Sequence, residues 1–446
     1  MKKHAARLLA AIASGILFTA AHAAEEILIR NVHVFDGTGT ARSRSTLDVL
    51  VADGTIRQIA ATPIEVPAGA TVIDGQGRTL MPGLIDAHWH SALVAPSQVD
   101  ALTADTHYIA LLAGKVADAT LMRGFTTVRD MGGPTFGLRR AIESGVIAGP
   151  RIFPSGAMIS QTGGHGDFRL PYEIPRANNA PLSHSERVGA AAIADGADEV
   201  LRRAREQLML GATQLKLMAG GGVSSVYDPL DVTQYTVEEL RAAVSAAENW
   251  GTYATVHAYT PRAIKAAIEA GVKSIEHGQL VDEETVKLMA SKGIWWSLQP
   301  FLDDESANPR SGASRVKQLM VAAGTDRAYE LAKKHGVQVA FGTDILFSGS
   351  LGGAQSGRLT TLTRWYTPGE VLKMATGDNA RLIALAGERY PYPAPLGVVK
   401  EGALADLLLV DGDPTADLSL LDEPERTLVL IVKNGRIHKN LLGGVE

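Results

Sequence analysis

Leu84-Ile85-Asp86-Ala87-His88-Trp89-His90 is the stretch whose reading decides the fold. An apolar run that follows Met81-Pro82-Gly83 ends in two histidines two residues apart. Residues i and i+2 of a strand point to the same face. His88 and His90 therefore sit side by side at a strand end, where they can grip one metal ion. Imidazole is the ligand that Zn, Fe, Ni and Cu sites share. Taken alone, the pair also suits two ordinary surface histidines, so the weight falls on the rest of the chain.

Downstream, apolar runs and Ala-rich amphipathic segments alternate, which is the pattern of a parallel α/β architecture. Strands are expected at 84–90, 126–131, 151–155, 214–218, 254–258, 274–278, 294–299 and 337–344, with amphipathic segments such as 188–210 and 237–249 between them. Eight βα units over this length suit a (β/α)8 TIM-type barrel, and a doubly wound open sheet is the competing topology. Barrel enzymes place their chemistry at the C-terminal ends of the strands. The first strand ends on His88 and His90, and the fourth carries Lys216 inside Gln214-Leu215-Lys216-Leu217-Met218. The fifth ends on His257, the sixth on His277 and the eighth on Asp344. Any one of these has a bland explanation: a satisfied histidine, a snorkelling lysine or a helix cap. Six such residues at one rim point to a metal site.

The flanks read differently. Residues 26–80 alternate apolar and polar and carry the turn Ala52-Asp53-Gly54-Thr55, a hairpin signal. The same texture returns over 394–440, in Leu404 to Val410 and in Leu428 to Lys433 before Asn434-Gly435. The two ends are expected to pair into a small β-sandwich flanking a catalytic unit at 81–393. Before residue 24, Lys2, Lys3 and Arg7 precede an apolar run from Leu8 to Ala20 and a small-x-small site at Ala21-His22-Ala23. That is the pattern of a cleaved signal peptide, 1–23, and the run is short for a membrane span. Periplasmic or secreted localisation, with no stable membrane anchor, is the expectation. A net charge of −5 gives no reason to expect nucleic acid as a partner. With no cysteine in 446 residues, any metal must be held by nitrogen and oxygen.

From about residue 26 to 440 the chain resembles the amidohydrolase superfamily. The resemblance rests on Pro82 through His90, on Gly124-Phe125-Thr126-Thr127-Val128-Arg129-Asp130, and on Ile275-Glu276-His277-Gly278. Gly342-Thr343-Asp344 and the tail Leu396-Gly397 through Asp406 complete it. Within the superfamily the sequence is most similar to Xaa-Pro dipeptidase and carboxypeptidase-like enzymes and to the ochratoxin-hydrolysing amidohydrolases. The resemblance implies two divalent ions, usually zinc. His88, His90 and Asp344 would hold one and His257 and His277 the other, with Lys216 bridging them as a carbamate formed with CO2. It also implies a homo-oligomer, up to an octamer. The chemistry agrees, since a lysine buried among apolar residues is pushed toward its neutral, nucleophilic form. Asp344 would be the catalytic proton carrier.

The expected substrate is a small-molecule or dipeptide-like amide from which a C-terminal amino acid is released. Ochratoxin A, an aryl amide of phenylalanine, falls inside that class. Three residues are candidates for touching substrate. His165 stands in the glycine-rich loop Gln161 to Asp167, Tyr227 beyond the fourth strand's Gly220-Gly221-Gly222, and Arg129 at the end of strand two. Of the two roles open to Arg129, a buried pair with Asp130 or another acid suits it better than a substrate carboxylate. Two other functions compete. A cyclic-amide hydrolase of the imidazolonepropionase type is disfavoured by the signal peptide, because such reactions usually serve cytoplasmic catabolism. A catalytically dead periplasmic metal- or ligand-binding protein is disfavoured by the complete ligand set.

Overall fold

Asp53 (φ 52°) and Gly54 (φ 74°) make the tight turn that joins β2 (Leu47–Ala52) to β3 (Thr55–Ala60). Two successive left-handed residues match the twist of an antiparallel pair, and Ala52 faces Thr55 across the turn. These strands follow β1 (Ile27–Val34) and precede β4 (Thr71–Asp74) and β5 (Thr79–Pro82). The computed structural model describes residues 26–174, 180–304, 307–349 and 351–443. The signal-peptide reading of residues 1–23 lies outside them.

All eight segments expected as strands of the central unit are strands. They are β6 (Leu84–Trp89), β7 (Phe125–Asp130), β8 (Arg151–Pro154), β11 (Leu215–Met218), β12 (Ala254–Ala258), β13 (Ser274–His277), β14 (Trp295–Leu298) and β15 (Val339–Phe341). Two more, β9 (Met158–Ser160) and β10 (Ala191–Ile193), lie between β8 and β11. The segment 188–210, expected to be one amphipathic piece, is therefore split. Ala191–Ile193 pairs in parallel with β9, and a helix starts only at Ala197, after Gly196 turns at φ 82°. Three residues are too few to show a strand period.

Parallel pairing joins β6-β7-β8 in one sheet and β10-β9-β11-β12-β13-β14-β15 in another. The sheets meet at both ends. Asn379 donates to the carbonyls of Ile85 (2.7 Å) and Phe341 (2.8 Å), and Asp344 N donates to His88 O at 2.8 Å, which ties β6 to β15. On the other side Thr213 N donates to Pro154 O, and Gln214 Nε2 to Phe153 O, each at 2.8 Å. Helices pack outside on small apolar faces. In Val237–Asn249 the buried residues are Leu240, Ala243, Val244, Ala246 and Ala247, and Thr236 with Glu239 forms the capping box that starts the helix.

β16 (Leu407–Val410), β17 (Leu428–Lys433) and β18 (Arg436–Asn440) complete the terminal sheet in the order β18-β17-β16-β5-β1-β2-β3, with β4 on β1. β1 shifts register between Ile29 and Val32, beside Asn31 at φ 54°. Its first half bonds β2 and β4, and His33 and Val34 bond β5. The two terminal segments thus form one hydrogen-bonded sheet in which β1 bonds β2, β4 and β5, over a core that includes Ile27, Val49, Leu80, Leu407 and Leu430. Arg151 anchors this sheet to the parallel unit through two bonds to Asp406, at 2.7 and 3.1 Å. Among the described residues no helix is long and apolar enough to cross a membrane.

Candidate metal centre and active-site cleft

His88, His257 and His277 lie at the C-terminal ends of β6, β12 and β13, Lys216 two positions before the end of β11, and Asp344 three residues beyond β15. β6 is held there by Asp86, whose carboxylate accepts bonds from Thr343 N, Thr343 Oγ1, Gln355 Nε2 and His88 N. Gly342 lets β15 run against this strand, because a Cβ there would stand 2.5 Å from the Cβ of His88. The backbone then turns left-handed at Asp344 (φ 50°) and, two strands earlier, at His277 (φ 76°). Both turns aim a strand-end side chain inward.

Each histidine has one ring nitrogen engaged with an acceptor, which fixes its tautomer. His88 Nδ1 donates to Glu276 Oε2 (2.8 Å), and His90 Nδ1 to Gly132 O (2.9 Å). His257 Nε2 donates to Gly221 O (3.0 Å), and His277 Nδ1 to Gln299 Oε1 (2.8 Å). The remaining nitrogen of each ring is a lone pair. His88 Nε2 and His90 Nε2 both lie 3.2 Å from Asp344 Oδ1. Two lone pairs against an anionic oxygen repel unless a proton or cation stands among them. Ligands about 2.0–2.1 Å from a tetrahedral ion are spaced about 3.4 Å apart, so the cluster fits a metal ion. One ligand atom from each of His88, His90 and Asp344 lies within 4.8 Å of the others.

Next to this trio the rings of His88 and His277 are 5.0 Å apart, and those of His257 and His277 are 4.5 Å apart. Lys216 is 1 % exposed. Desolvation drops its pKa to about 8, only partly opposed by Glu276 and Asp344. Burial also holds His257 and His277 well below the usual imidazole range. Burial pushes the Asp344 carboxyl up, but when protons rather than an ion stand between it and the imidazoles, the charge and hydrogen bond of His88, the hydrogen bond of His90 and the charge of His277 outweigh burial and hold it well below the usual range.

The substrate candidates part company. His165 is in the site: its ring stacks on His257 at 4.2 Å, and its Nδ1 contacts Ser225 Oγ at 2.7 Å. Gly222 makes that position possible, since a Cβ there would lie 1.9 Å from the His165 ring. Tyr227 is 41 % exposed, its hydroxyl donates to Arg169 O (2.7 Å), and it does not line the cleft that His165 lines. Arg129 takes the buried-pair alternative and not the substrate-touching one. It is fully buried and spends its guanidinium on Glu276 (2.7 and 2.9 Å), on Ala87 O and on the Tyr253 hydroxyl. Its acid partner is Glu276, which in turn orients His88.

Above the centre opens a cleft lined by His165, His257, Tyr259, Asp344, Arg310 and Arg358, with apolar residues that include Phe301, Val321 and Leu346. Tyr259 and Arg310 are absent from the sequence reading. Tyr259 stands two residues beyond His257, on the same face of the strand end, and that spacing was the available signal. Arg310 lies in an irregular loop with no periodic cue.

The sequence profile of the amidohydrolase family matches residues 79–439. The chain is 33 % identical over 371 residues to an ochratoxinase from Aspergillus niger, covering 81 % of this chain and 75 % of that protein. It is similar to a prolidase solved with N-methylphosphonate-L-proline: 35 % identity, TM-score 0.85, 93 % of this chain and 100 % of the other. A Xaa-Pro dipeptidase solved with methionine in its active site gives 30 % identity and a TM-score of 0.80 over the same shares. Profile, relatives and the histidine–aspartate cluster agree: this chain is a hydrolytic enzyme acting on amide bonds and belongs to the amidohydrolase family.

Proposed function

We propose that the protein is a metal-dependent, carboxypeptidase- or dipeptidase-like amide hydrolase that releases a C-terminal amino acid from an acyl or aminoacyl group. The observation that carries the reading is the convergence of His88 Nε2 and His90 Nε2, each 3.2 Å from Asp344 Oδ1. The named substrates and ligands of the similar proteins support the substrate side: an ochratoxinase, a prolidase and a Xaa-Pro dipeptidase. Ochratoxin A falls within the class as an amide of phenylalanine. The same reading takes the two parallel sheets as one (β/α)8 barrel, supported by the bonds that join them at both ends.

His88, His90 and Asp344 would hold one divalent ion, zinc in this reading, and His257 and His277 a second. Lys216, neutral enough to add CO2 at Nζ with loss of a proton, would bridge them as a carbamate. When bound, such ions polarise a carbonyl and acidify water. Asp344 then supplies the proton path. Its Oδ1 faces His88 and His90, which leaves Oδ2 to take the proton of the attacking water and hand it to the departing nitrogen. His165 and Tyr259 border the space where the scissile amide would lie. Arg129 and Glu276 hold His88 from behind and keep its lone pair aimed at the centre.

The test is hydrolysis of N-acetyl-phenylalanine and ochratoxin A by protein supplied with zinc and bicarbonate. Turnover that a chelator abolishes and zinc restores supports the reading, and the absence of turnover on either substrate by loaded protein sinks it. Export and homo-oligomeric assembly belong to the same proposal. N-terminal sequencing of the secreted protein and its mass in solution check them.

A further inference from the structure

Arg310 has a setting that differs from that of every other arginine near the centre. Arg129 is locked in an internal pair with Glu276. Arg358 reaches the Pro300 carbonyl and lies in the field of Asp304. Arg310 is partly buried on the cleft wall, and among the described residues its guanidinium has no hydrogen-bond or ion-pair partner. Among the described residues the acid whose field reaches it is Asp344, itself a member of the histidine cluster. A desolvated cation without a partner is costly unless an anion meets it.

The loop is also held in place. Gln318 Oε1 accepts a bond from Arg310 N (3.0 Å), and Gln318 Nε2 donates to Asn308 O (2.9 Å). The neighbouring Lys317 donates to the carbonyls of Gly222, Ser225 and Asp228 at 2.9, 3.2 and 2.7 Å, which fastens the opposite lip. One helix, Gly312–His335, therefore sets both sides of the cleft. The same cleft is lined by Phe301, Leu302, Val321 and Leu346, which give it an apolar wall.

We infer that Arg310 reads the free carboxylate of the departing amino acid, whose apolar side chain rests on the Phe301–Leu346 wall. The inference rests on the amide-hydrolase reading above and narrows it to amino acids that carry an apolar side chain and a free carboxylate. A guanidinium matches a carboxylate with two parallel bonds, and a substrate amide cannot make that pairing.

The experiment compares acid with amide twice. Calorimetric titration of zinc-loaded protein uses L-phenylalanine and L-phenylalaninamide, and kinetics uses N-acetyl-phenylalanine and its C-terminal amide. The parent is expected to prefer the acid at least tenfold in both. Arg310→Met should lower that ratio by tenfold or more, chiefly through Kd and KM. Arg310→Lys, which keeps the charge and loses the fork, should keep part of it, and it carries the test if the methionine variant does not fold. An unchanged ratio in the variants overturns the assignment of Arg310. Equal use of acid and amide by the parent overturns carboxylate reading and leaves amide hydrolysis standing. Arg310-dependent binding of L-phenylalanine without hydrolysis of either substrate keeps the inference and removes the proposed activity.

Discussion

The floor of the cleft and its wall are built on opposite principles. On the floor, His88, His90, His257 and His277 each have one nitrogen tied to a fixed acceptor, and Glu276 is held by Arg129, Thr255 and His88. On the wall, Arg310 has no partner of its own among the described residues, and Tyr259 presents its ring to the cavity. The floor is organised before any ligand arrives, which removes reorganisation from the chemical step. The wall keeps its bonding capacity for what enters. Damage to the floor should therefore show in turnover, metal retention and stability, and damage to the wall in selectivity.

The sharpest break is Asp344→Asn. The amide still offers an oxygen but cannot accept the proton, so kcat should fall about a thousandfold, or about 4 kcal/mol. Bound zinc, read by elemental analysis, should fall far less. Turnover within a few-fold of the parent would remove Asp344 from the proton path.

Arg129→Met should come next. It strands the buried Glu276 carboxylate and should cost about 3–5 kcal/mol in unfolding free energy, read from denaturant midpoints. A loss below about 1 kcal/mol would mean that the floor is not held from behind.

Lys216 gives an effect of opposite sign in protein freed of metal and CO2. Its pKa of about 8 lies below the ordinary 10.5, so the unfolded chain binds the proton more tightly. The penalty is full below pH 8 and fades as pH rises to 10.5, so stability climbs across that window. Lys216→Met should raise neutral-pH stability by on the order of 3 kcal/mol and flatten that climb, while weakening zinc retention. Unfolding curves at pH 7 and pH 10 decide it.

The smallest effect is expected from Tyr227→Phe, which removes only the partly exposed bond to Arg169 O. Stability should change by about 1 kcal/mol or less and kcat/KM by less than twofold. A tenfold fall would place Tyr227 in the working cleft after all.

What could be read in advance follows the same division. His88, His90, Lys216, His257, His277 and Asp344 sit at regular strand ends, where period and position carry information. β9 went unread because it follows β8 after only three residues, and β10 because Ala191 to Ile193 adjoin a true helix. Glu276 is visible beside His277, but its task depends on Arg129, 147 positions away, and no local pattern encodes that. Arg310 draws its meaning from what fails to approach it, which only coordinates reveal. The left-handed turns at His277 and Asp344 are hidden for a related reason, since neither residue is glycine.

Asn379 has one more consequence, and it concerns the order of events in time. Its side-chain amide links Ile85 to Phe341, and Asp86 reaches Thr343 across 257 positions. β5 likewise waits for β16, with Met81 opposite Leu408. The first parallel strand is synthesised early and pairs soon with β7, yet its contacts on the opposite side, to Phe341, Thr343 and Asn379, arrive near the end of translation. Contacts this distant slow folding. A nascent chain halted before residue 340 would hold His88 and His90 on an unpaired edge, with Lys216, His257 and His277 made but not yet gathered. On the proposed metal-dependent reading, ion capture would coincide with final chain closure, and zinc should accelerate the last step of refolding.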